Sequence, residues 1–140
     1  PDRLESGTPN MPGIYGLHQS LAFVLAKGVS ALRHHEMELT AQFLAGLAGI
    51  PGVRLCGTTD LAHRVGVISL DFQELDNAEV TFRLEAEFGI LTRCGLHCAP
   101  SAHQTIGTFP QGTVRFSLGF QNTSEEIAYT LEAIRQISGK

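Results

Sequence analysis

The chain has 140 residues, of which 43% are hydrophobic and 17% are charged, and its formal net charge at pH 7 is −4. This composition can form a buried core and excludes wholesale disorder, while the acidic balance argues against binding to nucleic acid. The longest apolar run, Leu21 to Ala26, is too short to cross a membrane, and three cysteines are too few for a disulfide framework. We therefore expect a cytoplasmic domain without nucleic-acid or membrane partners.

The N-terminal third of the sequence predicts an arm followed by two helices. Residues 1–13 are polar and rich in glycine and proline, which is typical of an arm rather than a regular element. Apolar residues then recur at helical spacing from Ile14 to Leu25, and Gly28 provides a C-terminal stop. A second helix is expected over residues 29–50, with an apolar stripe that faces a core.

The middle of the sequence predicts two strands, a helix and a third strand. Residues 53–57 form a short expected strand, and residues 65–72 a stronger one in which alternate apolar side chains share a face. Asp76 is suited to cap a helix that extends to Phe88. Extended structure is expected to resume over residues 90–93.

The C-terminal part predicts a long loop, a strand and a final helix. Residues 94–112 show neither helical nor strand periodicity, so we expect a functional loop of unusual length. Residues 114–118 alternate between apolar and polar side chains, and Thr123 with Glu126 forms a capping-box pattern. The element order predicts one α+β domain over residues 14–140, with helices packed on a mostly antiparallel sheet.

The aperiodic segment holds two of the three cysteines, and three interpretations of it stay open. Cys98 follows His97 directly, and a neighbouring cation can lower the pKa of a thiol, which suits a nucleophile. Cys94, His97, Cys98 and His103 also form a string of zinc-ligand types, although adjacent ligands fit a single tetrahedral site poorly. The third interpretation is ordinary packing of the thiols and solvation of the histidines.

Other candidate residues lie outside this segment. Arg115 is expected on the polar face of a strand, where it could bind a carboxylate or form a surface ion pair. Thr8, beside Gly7, offers a hydroxyl group to a phosphate or simply forms part of a turn. The lysines of the sequence are Lys27 and Lys140, and neither is placed where a buried Schiff-base lysine is expected.

Three motifs in this order resemble the C-terminal part of the cysteine desulfurases, in the class V branch of the fold-type I pyridoxal-phosphate enzymes. Residues 4–10, Leu-Glu-Ser-Gly-Thr-Pro-Asn, resemble the family's E-x-G-T-P-N segment. Residues 90–100, which contain Arg-Cys-Gly-Leu-His-Cys-Ala, resemble its R-x-G-x-H-C-A loop and are the most specific match. Residues 112–127 resemble its V-R-x-S and N-T-x-E-E-I ending. The resemblance therefore covers nearly the whole chain.

The resemblance implies a reaction and a role for each matching residue. With pyridoxal phosphate as cofactor, cysteine would yield alanine and an enzyme persulfide, which passes to a sulfur-acceptor protein for iron–sulfur cluster assembly or other sulfur metabolism. Cys98 matches the nucleophile, and Arg115 matches the arginine that binds the substrate carboxylate. Thr8 matches a residue that contacts the cofactor phosphate of the partner subunit, which implies a homodimer. Arg93 and His97 would have supporting roles.

One departure from the family pattern limits what this chain should do by itself. The family's large domain, with its Schiff-base lysine, lies upstream of the matching segment. We therefore expect a C-terminal domain that is inactive alone and carries no covalently bound cofactor. A class V aminotransferase or selenocysteine lyase is the alternative from the same fold branch, and a non-enzymatic zinc-binding module is the alternative outside it.

Overall fold

The computed structural model describes residues 2–4 and 7–139, which separate into two compact units at residues 34 and 35. A short 3-10 helix at Asp2–Leu4 precedes the first α-helix, and another lies at Leu61–His63. The α-helices of the described residues are α1 (Met11–Lys27), α2 (Val29–Leu47), α3 (Asn77–Phe88), α4 (Pro100–Ile106) and α5 (Ser124–Ser138). Their strands are β1 (Val53–Cys56), β2 (Val67–Phe72), β3 (Arg93–Gly95) and β4 (Thr113–Ser117).

In the first unit, α1 forms as the periodicity predicts and ends before Gly28. The helix begins at Met11, three residues before the predicted boundary at residue 14, because the Asn10 side chain accepts a hydrogen bond from the Gly13 N–H. Most apolar side chains of this unit are exposed, with Ile14 at 52% and Leu21 at 54%, whereas Val24 and Leu32 are half-buried. None of the helices in residues 2–4 and 7–139 is both long and apolar enough to cross a membrane.

In the second unit, four antiparallel strands form a sheet in the order β1-β2-β4-β3. This arrangement confirms the prediction of an α+β fold with an antiparallel sheet. One face of the sheet carries the core. Its side chains come from β2, β4, α3, α5 and the second half of α2, and they include Phe43, Ile68, Leu70, Leu84, Val114 and Ile134.

Local capping signals fix two of the helices that cover this core. The Asp76 side chain accepts a hydrogen bond from the Ala78 N–H at 2.7 Å and starts α3. The Thr123 and Glu126 side chains form the predicted capping box at the start of α5. The α2 stripe is buried at Leu39 and Phe43, but Val29, which was expected to face a core, is 64% exposed.

The largest difference from the sequence prediction concerns residues 90–112. The third strand lies at Arg93–Gly95 rather than at residues 90–93, and the expected loop contains the helix α4. Proline occupies the first position of α4, and Gly107 ends it in the left-handed conformation. A seven-residue helix is too short to show a hydrophobic period, so the pattern of residues 94–112 did not reveal it.

Candidate functional site

The turn between β3 and α4 places the predicted nucleophile in an unusual backbone conformation. His97 has φ of 49° and Cys98 has φ of 60°, in the left-handed region that residues other than glycine seldom adopt. A hydrogen bond from the Ala99 N–H to the Leu96 carbonyl, 2.8 Å long, closes the turn. Such residues cost about 1–3 kcal/mol each and concentrate at functional sites. The strain therefore lies on the two residues singled out for thiol chemistry.

The three cysteines are free thiols that differ in exposure. Cys98 is exposed, whereas Cys94 on β3 is half-buried and packs against the hydrophobic core. Cys56, at the end of β1, is also half-buried, and this burial raises the pKa of its thiol. Cys98 is thus the thiol most accessible to a substrate or to an acceptor.

Arg115 projects from the face of the sheet that lies opposite the core. It alternates along β4 with the buried Val114 and Phe116. The strand register places it directly opposite Ser69 on β2 and Arg93 on β3. Its Nε atom is buried and has no hydrogen-bond partner in the described part of the chain. A buried guanidinium donor of this kind is suited to a carboxylate ligand.

A cleft of about 260 Å³ opens on this face, between the sheet and α4. The Oγ1 atom of Thr113, a residue only 1% exposed, is a second buried donor there without a partner among the described residues. The lining residues come from three strands, from α4 and from the turn before it: Cys56, Gly57, Ser69, His97, Ala102, His103, Ile106, Thr113 and Arg115. The cleft thus combines one guanidinium and two imidazoles with small or apolar walls.

His97 links this cleft to the Cys98 thiol, because it lines the cleft and directly precedes the cysteine. Its Nε2 lies 3.1 Å from the carbonyl oxygen of Arg93, so in the neutral ring Nε2 carries the hydrogen and Nδ1 is an acceptor. Partial burial lowers the pKa of His97, and the charges of Arg115, His103 and Arg93 add to this effect. The hydrogen bond to Arg93 opposes it without reversing it. Near pH 7 the ring is therefore neutral and able to accept a proton.

The structure gives no support to a zinc site. His103 is 5% exposed, and its Nδ1 is hydrogen-bonded to Thr108 Oγ1 at 2.7 Å. Within residues 2–4 and 7–139, no group of three or more His, Cys, Asp or Glu side chains is arranged to hold a metal ion. The four residues of the predicted ligand string therefore do not converge.

The described residues do not form a complete site for pyridoxal phosphate. Arg115 and Thr113 offer unpaired donors in the cleft, but no lysine lines it. Lys27 lies in the last turn of α1 with its Nζ 6.0 Å from the centre of the Phe23 ring, and Lys140 lies outside the described residues. Thr8 precedes α1 in the first unit and is exposed. The residues that line the cleft therefore fit a ligand carboxylate, and they offer no amine that could form a Schiff base with the cofactor.

A larger cavity, of about 410 Å³, lies beside α5 and the end of α3. Its walls include Tyr129, whose hydroxyl donates to the Phe88 carbonyl at 3.2 Å, and Glu126, which is engaged in the capping box. Neither a thiol nor a cationic side chain lines it. The candidate chemistry therefore belongs to the smaller cleft.

Sequence reasoning missed three residues of the cleft: Cys56, Ser69 and Thr113. The sequence motifs single out none of these three as a site residue. The alternation of buried Ile68 and Leu70 around Ser69 does predict that Ser69 points away from the core. Its position opposite Arg115 depends on strand register, which no local pattern encodes.

Comparison with known proteins identifies the family to which this sequence is similar. The family model of the aminotransferase class-V proteins matches residues 1–129. The chain is 38% identical over 138 residues to the "Probable cysteine desulfurase" of Mycolicibacterium paratuberculosis, and it covers 19% of that protein. It is 37% identical over 137 residues to the cysteine desulfurase of Synechococcus elongatus, of which it covers 21%.

A solved structure gives the same result at the level of the fold. The apo structure of a cysteine desulfurase from Thermococcus onnurineus superposes with a TM-score of 0.92 at 29% identity. That match covers 99% of this chain and 34% of the solved chain. The chain therefore spans between about a fifth and a third of the length of these relatives. On the extent of the family match and on this shared fold, the chain belongs to the aminotransferase class-V family.

Proposed function

We propose that this chain is the thiol-bearing part of a cysteine desulfurase that depends on pyridoxal phosphate. The observation that carries the proposal is the exposed Cys98 in a strained turn, next to a cleft that contains the unpaired Arg115 donor. The cysteine desulfurases among its relatives support the same assignment. The complete enzyme would include the two thirds or more of the relatives' length that this chain does not cover.

In this proposal each residue acts on a different part of the substrate. Arg115 binds the carboxylate of free cysteine and fixes its orientation. The Cys98 thiolate attacks the substrate sulfur, and the carbon–sulfur bond breaks with its electron pair left on the substrate carbon. Protonation of that carbon yields alanine, and the persulfide stays on Cys98. Nδ1 of His97 is free to take the proton when the thiolate forms. The electron-withdrawing chemistry that weakens the substrate bond is supplied by pyridoxal phosphate, held by the rest of the polypeptide.

The remaining roles belong to the complete enzyme. We propose that Thr8 contacts the cofactor phosphate of a partner subunit in a homodimer, and that Arg93 supports the turn that carries Cys98. The persulfide would pass to a sulfur-acceptor protein for iron–sulfur cluster assembly, in agreement with the exposure of Cys98. The free thiols are compatible with the reducing cytoplasm.

The test compares two cysteine variants in the full-length polypeptide, meaning this chain together with the remainder that its relatives possess. Cys98→Ala is expected to abolish the release of sulfide and alanine from cysteine, measured with pyridoxal phosphate and a reductant. Cys94→Ala, the matched control, is expected to retain them because Cys94 packs against the core. If Cys98→Ala turns over like the wild type, the sulfur chemistry is wrong and a class V aminotransferase is the better assignment.

A further inference from the structure

Arg54, a residue outside the cleft lining, joins the sheet to the last residue of α4. Its Nη2 and Nε donate to one oxygen of Asp71 on the neighbouring strand, at 2.8 and 3.3 Å. Its Nη1 donates to the backbone carbonyl of Ile106 at 3.2 Å. A planar guanidinium can hold a carboxylate and a second acceptor at the same time because its donors form a rigid fork.

The second oxygen of Asp71 connects the sheet to the C-terminal end of residues 96–112, the segment that contains α4. It accepts a hydrogen bond from Asn77 Nδ2 at 3.2 Å, and the same amide donates to the Gly112 carbonyl at 3.1 Å. The Asn77 oxygen accepts from the Phe72 N–H at 3.0 Å, so this amide, which is 2% exposed, is fully engaged. One carboxylate thus connects both Ile106 and Gly112 to the sheet.

The segment fastened in this way carries the strained turn. Residues 96–112 begin with the turn of His97 and Cys98, continue through α4, and end at Gly112. His103 on α4 stacks on His97 with the ring centres 6.0 Å apart. A shift of α4 would therefore change the packing of the residue that precedes Cys98.

We infer that Arg54 is a positioning residue for Cys98, because it bridges the Asp71 carboxylate and the Ile106 carbonyl and so holds α4 and the turn in place. The inference rests on the proposed function in one respect, because the proposed function assigns Cys98 its chemical role. Arg54 has a side chain that is 37% exposed, so its replacement leaves the hydrophobic core intact.

The experiment measures the reactivity of Cys98 in the full-length polypeptide. The alkylation rate of Cys98 by iodoacetamide is followed by peptide mass mapping, with Cys94 as the internal reference. Amide hydrogen exchange of residues 101–107 is recorded on the same samples. Arg54→Ala is expected to alter the Cys98 alkylation rate severalfold. It should also accelerate exchange in α4 by about tenfold, since the hydrogen bond from the charged guanidinium to the Ile106 carbonyl is lost.

Arg83→Ala is the matched control. Arg83 forms a comparable pair with Glu87, at 2.7 and 3.2 Å, but both residues lie on α3. Its loss is expected to leave Cys98 alkylation and α4 exchange at wild-type values. Equal effects from the two variants would mean that any lost ion pair loosens the segment, and would overturn the inference.

A conservative variant separates positioning from general stability. Arg54→Lys keeps a positive charge opposite Asp71 but lacks the fork needed to reach Ile106 as well. Its denaturant midpoint is expected to equal that of the wild type. Its Cys98 alkylation rate is nevertheless expected to show most of the change that Arg54→Ala causes. Wild-type reactivity in Arg54→Lys, or in Arg54→Ala, would overturn the bridging role.

Kinetics of the full-length enzyme supply a further readout. Arg54→Ala should lower kcat and leave the KM for cysteine unchanged, because Arg115 stands on β4 and is not held by this network. Alkylation and exchange need no turnover, so they decide the role of Arg54 even if no variant desulfurates cysteine. In that case the proposed function fails and the positioning role is judged separately.

Discussion

The imidazole rings of His97 and His103 stack with their centres 6.0 Å apart and their planes inclined by 30°. His103 is buried and tied to Thr108, so its ring is a fixed surface for His97. His97 in turn directly precedes the exposed Cys98, and its Nε2 is held by the Arg93 carbonyl at 3.1 Å. This arrangement orients the proposed proton acceptor independently of any bound ligand.

The lowered pKa of His97 predicts a pH-dependent contribution to stability. Because the folded pKa lies below the ordinary value of 6.5, the unfolded chain binds more protons between the two values. The free energy of unfolding should therefore fall as the pH drops below about 6.5, until the lowered folded pKa is passed. Above that window the contribution is constant.

Urea unfolding measures this dependence when it is repeated at pH values from about 5 to about 8, which bracket the ordinary pKa of histidine. On acidification, the free energy of unfolding of His97→Gln should fall less than that of the wild type. At the alkaline end of the range, the difference between the two proteins should be constant. Parallel pH profiles for the two proteins would show that His97 does not titrate as its surroundings indicate.

Arg115 is expected to control the binding of cysteine. Arg115→Lys in the full-length enzyme should raise the KM for cysteine by about tenfold, because lysine cannot replace the fork of the guanidinium on a carboxylate. The effect on kcat should be smaller. Steady-state kinetics with varied cysteine test this prediction, with Arg135→Lys on the exposed side of α5 as the control. An unchanged KM would exclude Arg115 as the carboxylate ligand.

Gly112 is a position where no side chain can be accommodated. Its φ is +77°, and a Cβ atom there would overlap the backbone carbonyl of Gly95 on the neighbouring strand. Gly112→Ala should lower the free energy of unfolding by about 3 kcal/mol, from the left-handed conformation and the overlap together. Gly119→Ala is the control, since a Cβ there meets nothing within 4 Å. Equal stability of the two variants in denaturant titration would contradict this account.

Local signals predicted the helices of the second unit better than its site. Asp76 and the Thr123–Glu126 pair form caps from neighbouring residues, so the sequence alone indicates where α3 and α5 begin. The buried alternation around Leu70 was equally readable because strand periodicity is local. For α4, a single short helix, Pro100 and Gly107 mark the two ends, but no hydrophobic stripe connects them.

The site depends on pairings between strands that lie far apart in sequence. Cys56, Ser69, Arg115 and Arg93 lie opposite one another across all four strands. A shift of one residue in any of these pairings would turn a member of the row to the core face. Sequence motifs predicted Cys98 and Arg115 as candidate site residues. The row of residues around Arg115 could be identified only from the strand pairing in the structure.

The central claim, that Cys98 receives sulfur from cysteine, is tested most directly by mass spectrometry of the full-length polypeptide. After incubation with cysteine and pyridoxal phosphate, the peptide that contains Cys98 should gain about 32 Da, as expected for a persulfide. A reductant should remove the added mass. The gain should persist at Cys98 in Cys94→Ser and disappear in Cys98→Ser. Persulfide formation on Cys94 or Cys56 instead, or undiminished sulfide release by Cys98→Ser, would contradict the claim.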